Sequence, residues 1–153
     1  MRLDRFTVKS REALAEASEL AERKGNPEIL PEHLLAVLMR QDEGVALPLL
    51  SKAGLNPNAV ASALDAEVDK APKVAGGSEP GMSRRFRELI REAEGTAKHL
   101  KDEYLSTEHF LLAATTDARL KSILEPLGWS DERLLNALVE VRRRYGATME
   151  AAQ

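Results

Sequence analysis

The most constraining feature of this sequence is an internal duplication. Residues 7–38 align without a gap onto residues 83–114, at a constant offset of 76. Of these 32 pairs 8 are identical, against about 2 expected by chance at ordinary residue frequencies. The match resumes at an offset of 74, where Leu50, Gly54, Ala63 and Leu64 meet Leu124, Gly128, Ala137 and Leu138. The chain is therefore expected to contain two similar folding units.

Each copy contains four segments whose apolar residues recur at helical spacing. Residues that commonly begin helices, such as Ser, Thr, Asn and Pro, precede most of them. The predicted starts are Thr7, Pro31, residue 45 and Asn56 in the first copy, and Ser83, Thr107, residue 118 and Ser130 in the second. No stretch shows the alternation typical of a strand. The predicted fold class is all-α, with about eight helices.

The two units are expected to share one core. A single unit of about 60 residues is marginally stable alone, so we predict two four-helix units related by an approximate two-fold axis. The predicted boundaries are repeat one at about 6–70, a Pro/Gly-rich linker at 71–82 and repeat two at about 83–145. Together they form one domain over 1–145, and residues 146–153 are predicted to fray.

Composition excludes several classes of function. The net charge is −3, which argues against non-specific nucleic-acid binding and disfavours a helix-turn-helix DNA reader. The chain has no cysteine, so disulfides, thiol catalysis and zinc–thiolate sites are excluded. The apolar runs are too short to span a membrane, and the first residues lack the apolar stretch of a signal peptide. We expect a cytoplasmic protein.

No catalytic or metal-binding set is readable from the residues. His33 and His109 are repeat equivalents, and both are predicted to be packed, hydrogen-bonded structural residues. Glu32 and Glu108 fall in the first turns of their helices, where they complement the helix dipole. Residues 142–144 are three arginines at a helix end, predicted to be solvated. The phosphate-binding loop of nucleotide hydrolases is absent, so this chain is not expected to be an enzyme.

On residues alone the chain is therefore a helical interaction module whose default binding surface is the apolar seam between the repeats.

Several motifs, taken in order, resemble the N-terminal domain of the ClpB-type AAA+ chaperones. They are Met1-Arg2-Leu3-Asp4-Arg5-Phe6-Thr7, Ser10-Arg11-Glu12-Ala13-Leu14, Pro31-Glu32-His33-Leu34-Leu35, Ala71-Pro72-Lys73-Val74, Lys101-Asp102-Glu103-Tyr104-Leu105-Ser106-Thr107-Glu108-His109 and Leu138-Val139-Glu140-Val141-Arg142. The resemblance covers about residues 1–145 and implies the double Clp-N repeat fold.

The resemblance also implies a function. In this family the domain is tethered to a homohexameric ring that uses ATP and magnesium and works with the DnaK system. The N-terminal domain binds exposed apolar segments of unfolded or aggregated polypeptides. The ring residues are absent here, so the chain itself is expected to hold no cofactor and no metal, and to be monomeric. The alternative is an adaptor-docking N-domain of a Clp protease regulatory ATPase.

The resemblance further implies a set of substrate-binding residues. Family positions linked to substrate engagement correspond to Thr7, Asp102 and Glu108. Thr7 is also predicted to cap a helix, and Glu108 to complement a helix dipole, whereas the sequence suggests no structural role for Asp102. The apolar groove of the family corresponds to the first helix of repeat two and its neighbours. Its candidate residues here are Leu89, Ile90, Ala93 and Phe110.

Overall fold

The computed structural model describes residues 2–77 and 79–145, with Tyr145 described by its backbone alone. The helices of this part of the chain are α1 (Val8–Arg23), α2 (Pro31–Leu38), α3 (Ala46–Lys52), α4 (Pro57–Asp69), α5 (Arg84–His99), α6 (Thr107–Ala113), α7 (Ala118–Leu124) and α8 (Asp131–Tyr145). Three 3₁₀ turns cover Leu3–Arg5, Ala114–Thr116 and Glu125–Leu127. The prediction of an all-α fold with about eight helices is confirmed.

The first helix of each repeat begins and ends in the same way. The Thr7 hydroxyl accepts a hydrogen bond from the Ser10 amide at 3.2 Å in α1, and the Ser83 hydroxyl accepts one from the Phe86 amide at 3.0 Å in α5. After each helix the chain turns through a residue in the left-handed region, Gly25 with φ 71° and Lys101 with φ 60°. Each turn directs the next residue toward the following helix.

The second helices form the centre of the molecule. Every residue of α2 and of α6 is buried, as their broad apolar patterns require. The two helices contact each other, and each also contacts the first helix of the opposite repeat. The outer helices also pack across the two repeats in a reciprocal way: α3 packs on α8, and α4 packs on α7. The repeats therefore share one core and are related by a pseudo-two-fold axis.

Two short parallel pairings were not predicted. Strand β1 (Glu28–Ile29) pairs with β2 (Gly81–Met82), and a single bridge joins Phe6 to Leu105. The offset of 76 relates Ile29 to Leu105 and Met82 to Phe6, so both pairings are the same contact made twice. In each, the segment before one repeat pairs with the loop between the first two helices of the other. The prediction without strands was wrong here, because pairs this short carry no alternating pattern.

Two further details differ from the sequence prediction or lie beyond the structure. Helix α6 has Ser106 as its N-cap residue, whereas Thr107 was predicted to cap it. Ser130, by contrast, accepts a hydrogen bond from the Arg133 amide at 3.2 Å, as the predicted cap of α8 should. The frayed tail predicted for 146–153 lies outside the described residues. Among the residues that are described, no helix has both the length and the apolarity needed to cross a bilayer.

Candidate functional site

Each repeat holds its second helix with a buried histidine. In repeat one, His33 Nδ1 accepts a hydrogen bond from the Leu30 amide at 2.8 Å. The neutral ring therefore carries its proton on Nε2, which donates to Asn26 Oδ1 at 2.8 Å. The Asn26 side-chain Nδ2 then donates to the Pro72 carbonyl at 2.9 Å. Burial lowers the pKa of His33 to about 4, which keeps the ring neutral at physiological pH and confirms its structural role.

Repeat two has the same hydrogen-bond geometry, except that a charged side chain takes the place of a neutral one. His109 Nδ1 accepts from the Ser106 amide at 2.9 Å, and His109 Nε2 lies 2.7 Å from Asp102 Oδ2. Asp102 is the repeat equivalent of Asn26, so a carboxylate occupies the position that an amide holds in repeat one. His109 thus also has the structural role predicted for it. The Asp102 carboxylate therefore places a negative charge in the loop that forms the corner between α5 and α6.

Arg142 of α8 neutralises this corner. Its guanidinium donates to Asp102 at 2.6 Å and to Glu108 at 3.0 Å. Glu108 also accepts a hydrogen bond from the Ser106 hydroxyl. The side chains of Asp102 and Glu108 are only 6% and 3% exposed, and that of Arg142 is 19% exposed. Burial opposes charging of Arg142, but the bonds to Asp102 and Glu108 outweigh it and raise its pKa.

This cluster corrects the prediction for the three consecutive arginines. Arg142 points inward and forms a buried ion pair, whereas a solvated end had been predicted. Its neighbour Arg143 is exposed and pairs within α8 with Glu140 at 3.1 Å. Asp102, for which the sequence suggested no structural role, is a partner of both His109 and Arg142. The cluster therefore ties α8 to the corner between α5 and α6.

A second charged cluster crosses the seam between the repeats. Arg85 of α5 donates to Glu32 of α2 at 2.7 Å and to Asp117, just before α7, at 2.6 Å. The bond to Asp117 raises the pKa of Arg85. Burial of Asp117 opposes ionisation, but Arg85 outweighs it and lowers the pKa of that carboxyl. Glu32 does lie in the first turn of α2, and it also bonds the two repeats together.

Thr7 is buried at the start of α1. Besides the capping bond of its hydroxyl, its backbone N–H donates a hydrogen bond to the Leu105 carbonyl at 2.9 Å. The Ser10 hydroxyl donates to the same carbonyl at 2.9 Å. The cap role of Thr7, predicted from the sequence, is confirmed. Thr7 and Asp102 therefore flank the same segment around Leu105, and Asp102 lines a surface cleft of about 500 Å³ there together with Phe6.

The four apolar candidates lie in the core. Leu89, Ile90, Ala93 and Phe110 are each at most 4% exposed. The Phe110 ring packs edge-on against Phe6, with ring centroids 6.4 Å apart. In this conformation these side chains offer almost no surface to a ligand.

A groove lies beside them between α5 and α8, over α6. Its volume is about 290 Å³, and its apolar lining includes Leu100, at the end of α5, Leu112 of α6 and Leu135 of α8. Leu135 is 42% exposed. The other lining residues are Glu92, Gly95, Thr96, His99 and Asp131. A Cβ added at Gly95 would meet no atom within 4 Å, so the groove is open on this side.

A larger cleft is chemically different. It measures about 760 Å³ and lies between α5 and the start of α7, where its lining is mainly charged. All four of its arginines pair with carboxylates: Arg85 contacts Asp117, Arg119 contacts Glu67, and Arg84 and Arg91 contact Glu88. The α5–α8 groove therefore suits an apolar ligand better. Within the described part of the chain, no three His, Asp or Glu side chains are grouped as a metal site requires.

Sequence reasoning missed the surface residues of the groove. The apolar periodicity of α5 identified its buried face, and the candidates were chosen from that face. The useful signal was Gly95 inside a helix, where glycine costs about 1 kcal/mol relative to alanine. Leu135 was predicted to face inward with Leu134, Leu138 and Val141, whereas it is 42% exposed.

Comparisons with known proteins agree with one another. A family model described as the Clp repeat (R) N-terminal domain matches residues 5–127. The chaperone protein ClpB of Porphyromonas gingivalis is 37% identical over 154 residues, which cover 100% of this chain and 18% of the relative. The chain thus spans about a fifth of the length of that relative.

Solved structures show the same fold. The N-terminal domain of Hsp104 from Candida albicans superposes with a TM-score of 0.81 at 23% identity, covering 97% of each chain. A ClpV N-domain in complex with a VipB peptide superposes with a TM-score of 0.75 at 23% identity, covering 97% of this chain and 91% of the other.

Proposed function

This chain belongs to the Clp N-terminal domain family, and we propose that it is the substrate-engaging domain of a ClpB-type protein disaggregase. In this role it binds exposed apolar segments of unfolded or aggregated polypeptides. The observation that carries the proposal is the α5–α8 groove. Leu100, Leu112 and Leu135 line it. The exposed part of Leu135 has an unfavourable free energy of contact with water, which a bound apolar side chain would remove.

The charged residues at the rim of the groove indicate which client segments it favours. Two carboxylates, Glu92 and Asp131, flank the apolar lining, and His99 is the one ionisable base among the lining residues. A cationic residue next to the apolar stretch of a client would be attracted to this rim, whereas an acidic residue would be repelled. The occupant we propose is therefore an apolar segment flanked by Lys or Arg.

We extend the proposal to the parent protein. The parent is a AAA+ ATPase in which a homohexameric ring binds ATP and magnesium and threads the client with help from the DnaK system. It acts in the cytoplasm. The domain itself delivers clients to that ring, holds no cofactor and is monomeric when isolated. A ClpV N-domain of the same fold has been solved with a VipB peptide, which supports peptide binding as a task this fold can perform.

Replacing Leu135 with glutamate tests the proposal. The change puts a charge into the apolar lining beside Asp131, and we expect the Kd of a short fluorescein-labelled peptide with central leucines and terminal lysines to rise at least about tenfold. Fluorescence anisotropy measures the Kd. Val74→Glu is the matched control, because Val74 is also exposed but lies in the linker between repeats.

The control variant should bind like the parent domain, and both variants should keep the parent's helical circular-dichroism spectrum. Equal Kd values for Leu135→Glu and the parent domain would contradict the groove as the client site. A domain that retains a small folded adaptor but no unfolded client would instead favour the adaptor-docking alternative.

A further inference from the structure

We infer that Arg142 is a positioning residue for client binding, and that Asp102 and Glu108 act on the client through it and not by touching it. This inference rests on the proposed function, since it concerns how the α5–α8 groove keeps its shape. In this inference, the buried cluster Asp102–Arg142–Glu108 holds one wall of that groove in place.

The two carboxylates are poorly placed to meet a polypeptide. Both side chains are nearly fully buried, and each carboxylate already has two partners within hydrogen-bond distance. Asp102 Oδ2 contacts His109 and Arg142, and Glu108 contacts Ser106 and Arg142. A client that recruited either carboxylate directly would have to displace these bonds in a buried site, which is unfavourable.

Arg142 is well placed to control the groove. It follows Leu135 by seven residues, which is two helical turns, so both side chains leave α8 on nearly the same face. Helix α8 packs on α6 and on α3. Leu135 lines the groove near the start of α8, and Arg142 fastens the other end of the same face to the corner between α5 and α6.

The anchor fixes the distance across the groove. One wall ends at Leu100, two residues before Asp102, and the opposite wall carries Leu135. Arg142 bonds to Asp102, in the loop just beyond the first wall, and to Glu108 at the start of α6, the helix that carries Leu112. A single guanidinium therefore links α8 to α6 and to the loop that follows α5. Loss of Arg142 frees the end of α8 and leaves two buried carboxylates without their cation.

The test compares client affinity in four variants of the domain, all measured where circular dichroism shows them folded. They are Arg142→Met, Asp102→Asn, the double variant and Arg143→Met, titrated with the leucine–lysine peptide described above. Arg143→Met is the matched control, because it removes the same charge from the same turn, and Arg143 is exposed and pairs with Glu140 within α8. A fifth variant, Arg142→Lys, keeps the charge and takes the place of Arg142→Met if the methionine variant fails to fold.

We expect Arg142→Met and Asp102→Asn each to raise the Kd about five- to tenfold. The Kd of the double variant should be no higher than that of the single variant with the higher Kd. Arg143→Met should change the Kd less than about twofold. A Kd for Arg142→Met equal to that of the parent domain would overturn the inference. So would a double variant whose effect is the product of the two single effects, because Asp102 would then act independently.

Hydrogen exchange separates this inference from the proposed function. If the parent domain binds no client, the proposed function fails, but anchoring of α8 is still measurable. Amides of residues 135–142 should then exchange faster in Arg142→Met than in Arg143→Met. Equal exchange in these two variants would overturn the positioning role whether or not a client binds.

Discussion

Replacement of Arg85 with methionine is expected to lower the free energy of unfolding by about 2–4 kcal/mol. The buried carboxylates of Glu32 and Asp117 then lose their shared cation, and breaking a buried pair in this way typically costs about 3–5 kcal/mol. We place the effect slightly lower because the Arg85 side chain is 33% exposed, although its partners are only 5% and 10% exposed. Urea unfolding followed by circular dichroism measures the change.

The neighbouring arginine supplies the control. Arg84 is 84% exposed and pairs with Glu88 at 3.6 Å within α5, so Arg84→Met should change stability by less than about 0.5 kcal/mol. Adding Glu32→Gln and Asp117→Asn to Arg85→Met should recover part of the lost stability, because no buried charge then remains unpaired. Similar losses for the two arginine variants would show that the seam does not depend on this cluster.

Separation of the two repeats is expected to abolish cooperative folding of both. A fragment of residues 1–77 loses the β1–β2 pairing, the Phe6–Leu105 bridge and the Arg85–Glu32 contact. It also loses the packing of α3 on α8 and of α4 on α7. A core of this size rarely supplies more than about 3–5 kcal/mol by itself. Circular dichroism and thermal melting should therefore show neither full helix content nor a sharp transition.

Mixing the fragments provides the internal control for that experiment. An equimolar mixture of 1–77 and 78–153 should regain helical signal and a single melting transition, because the reciprocal contacts form between separate chains as well. The chain is divided after Gly77, within an exposed stretch of the linker. A half that melts cooperatively alone, with no gain on mixing, would contradict the shared core.

Much of this fold could be predicted because its signals are local. Thr7, Ser83 and Asn56 begin helices through side-chain bonds to amides two or three residues ahead, and such bonds depend on nearby sequence alone. The paired histidines were also interpretable, since an identical Glu-His at equivalent helix starts indicates one structural role used twice. The shared core followed from the size of a single repeat.

The remainder depended on contacts between distant residues. Arg142 lies 40 residues from Asp102, so no local signal predicts the ion pair that buries it. The two short strand pairings join segments about 50 and 100 residues apart, and each is held by a few backbone bonds without any side-chain signature. The groove was misjudged for a related reason. Periodicity separates buried from exposed faces, but a groove is lined by residues at the boundary, such as Thr96 and Leu100.

The central claim is that an apolar groove between α5 and α8 receives unfolded clients. Its most direct test is a two-dimensional ¹H–¹⁵N NMR titration of the isolated domain with the leucine–lysine peptide. The account predicts chemical-shift changes concentrated at the groove residues, including Thr96, Leu100, Leu112 and Leu135, with the linker at 71–77 unaffected. Changes confined to the linker, or no change at saturating peptide, would contradict it.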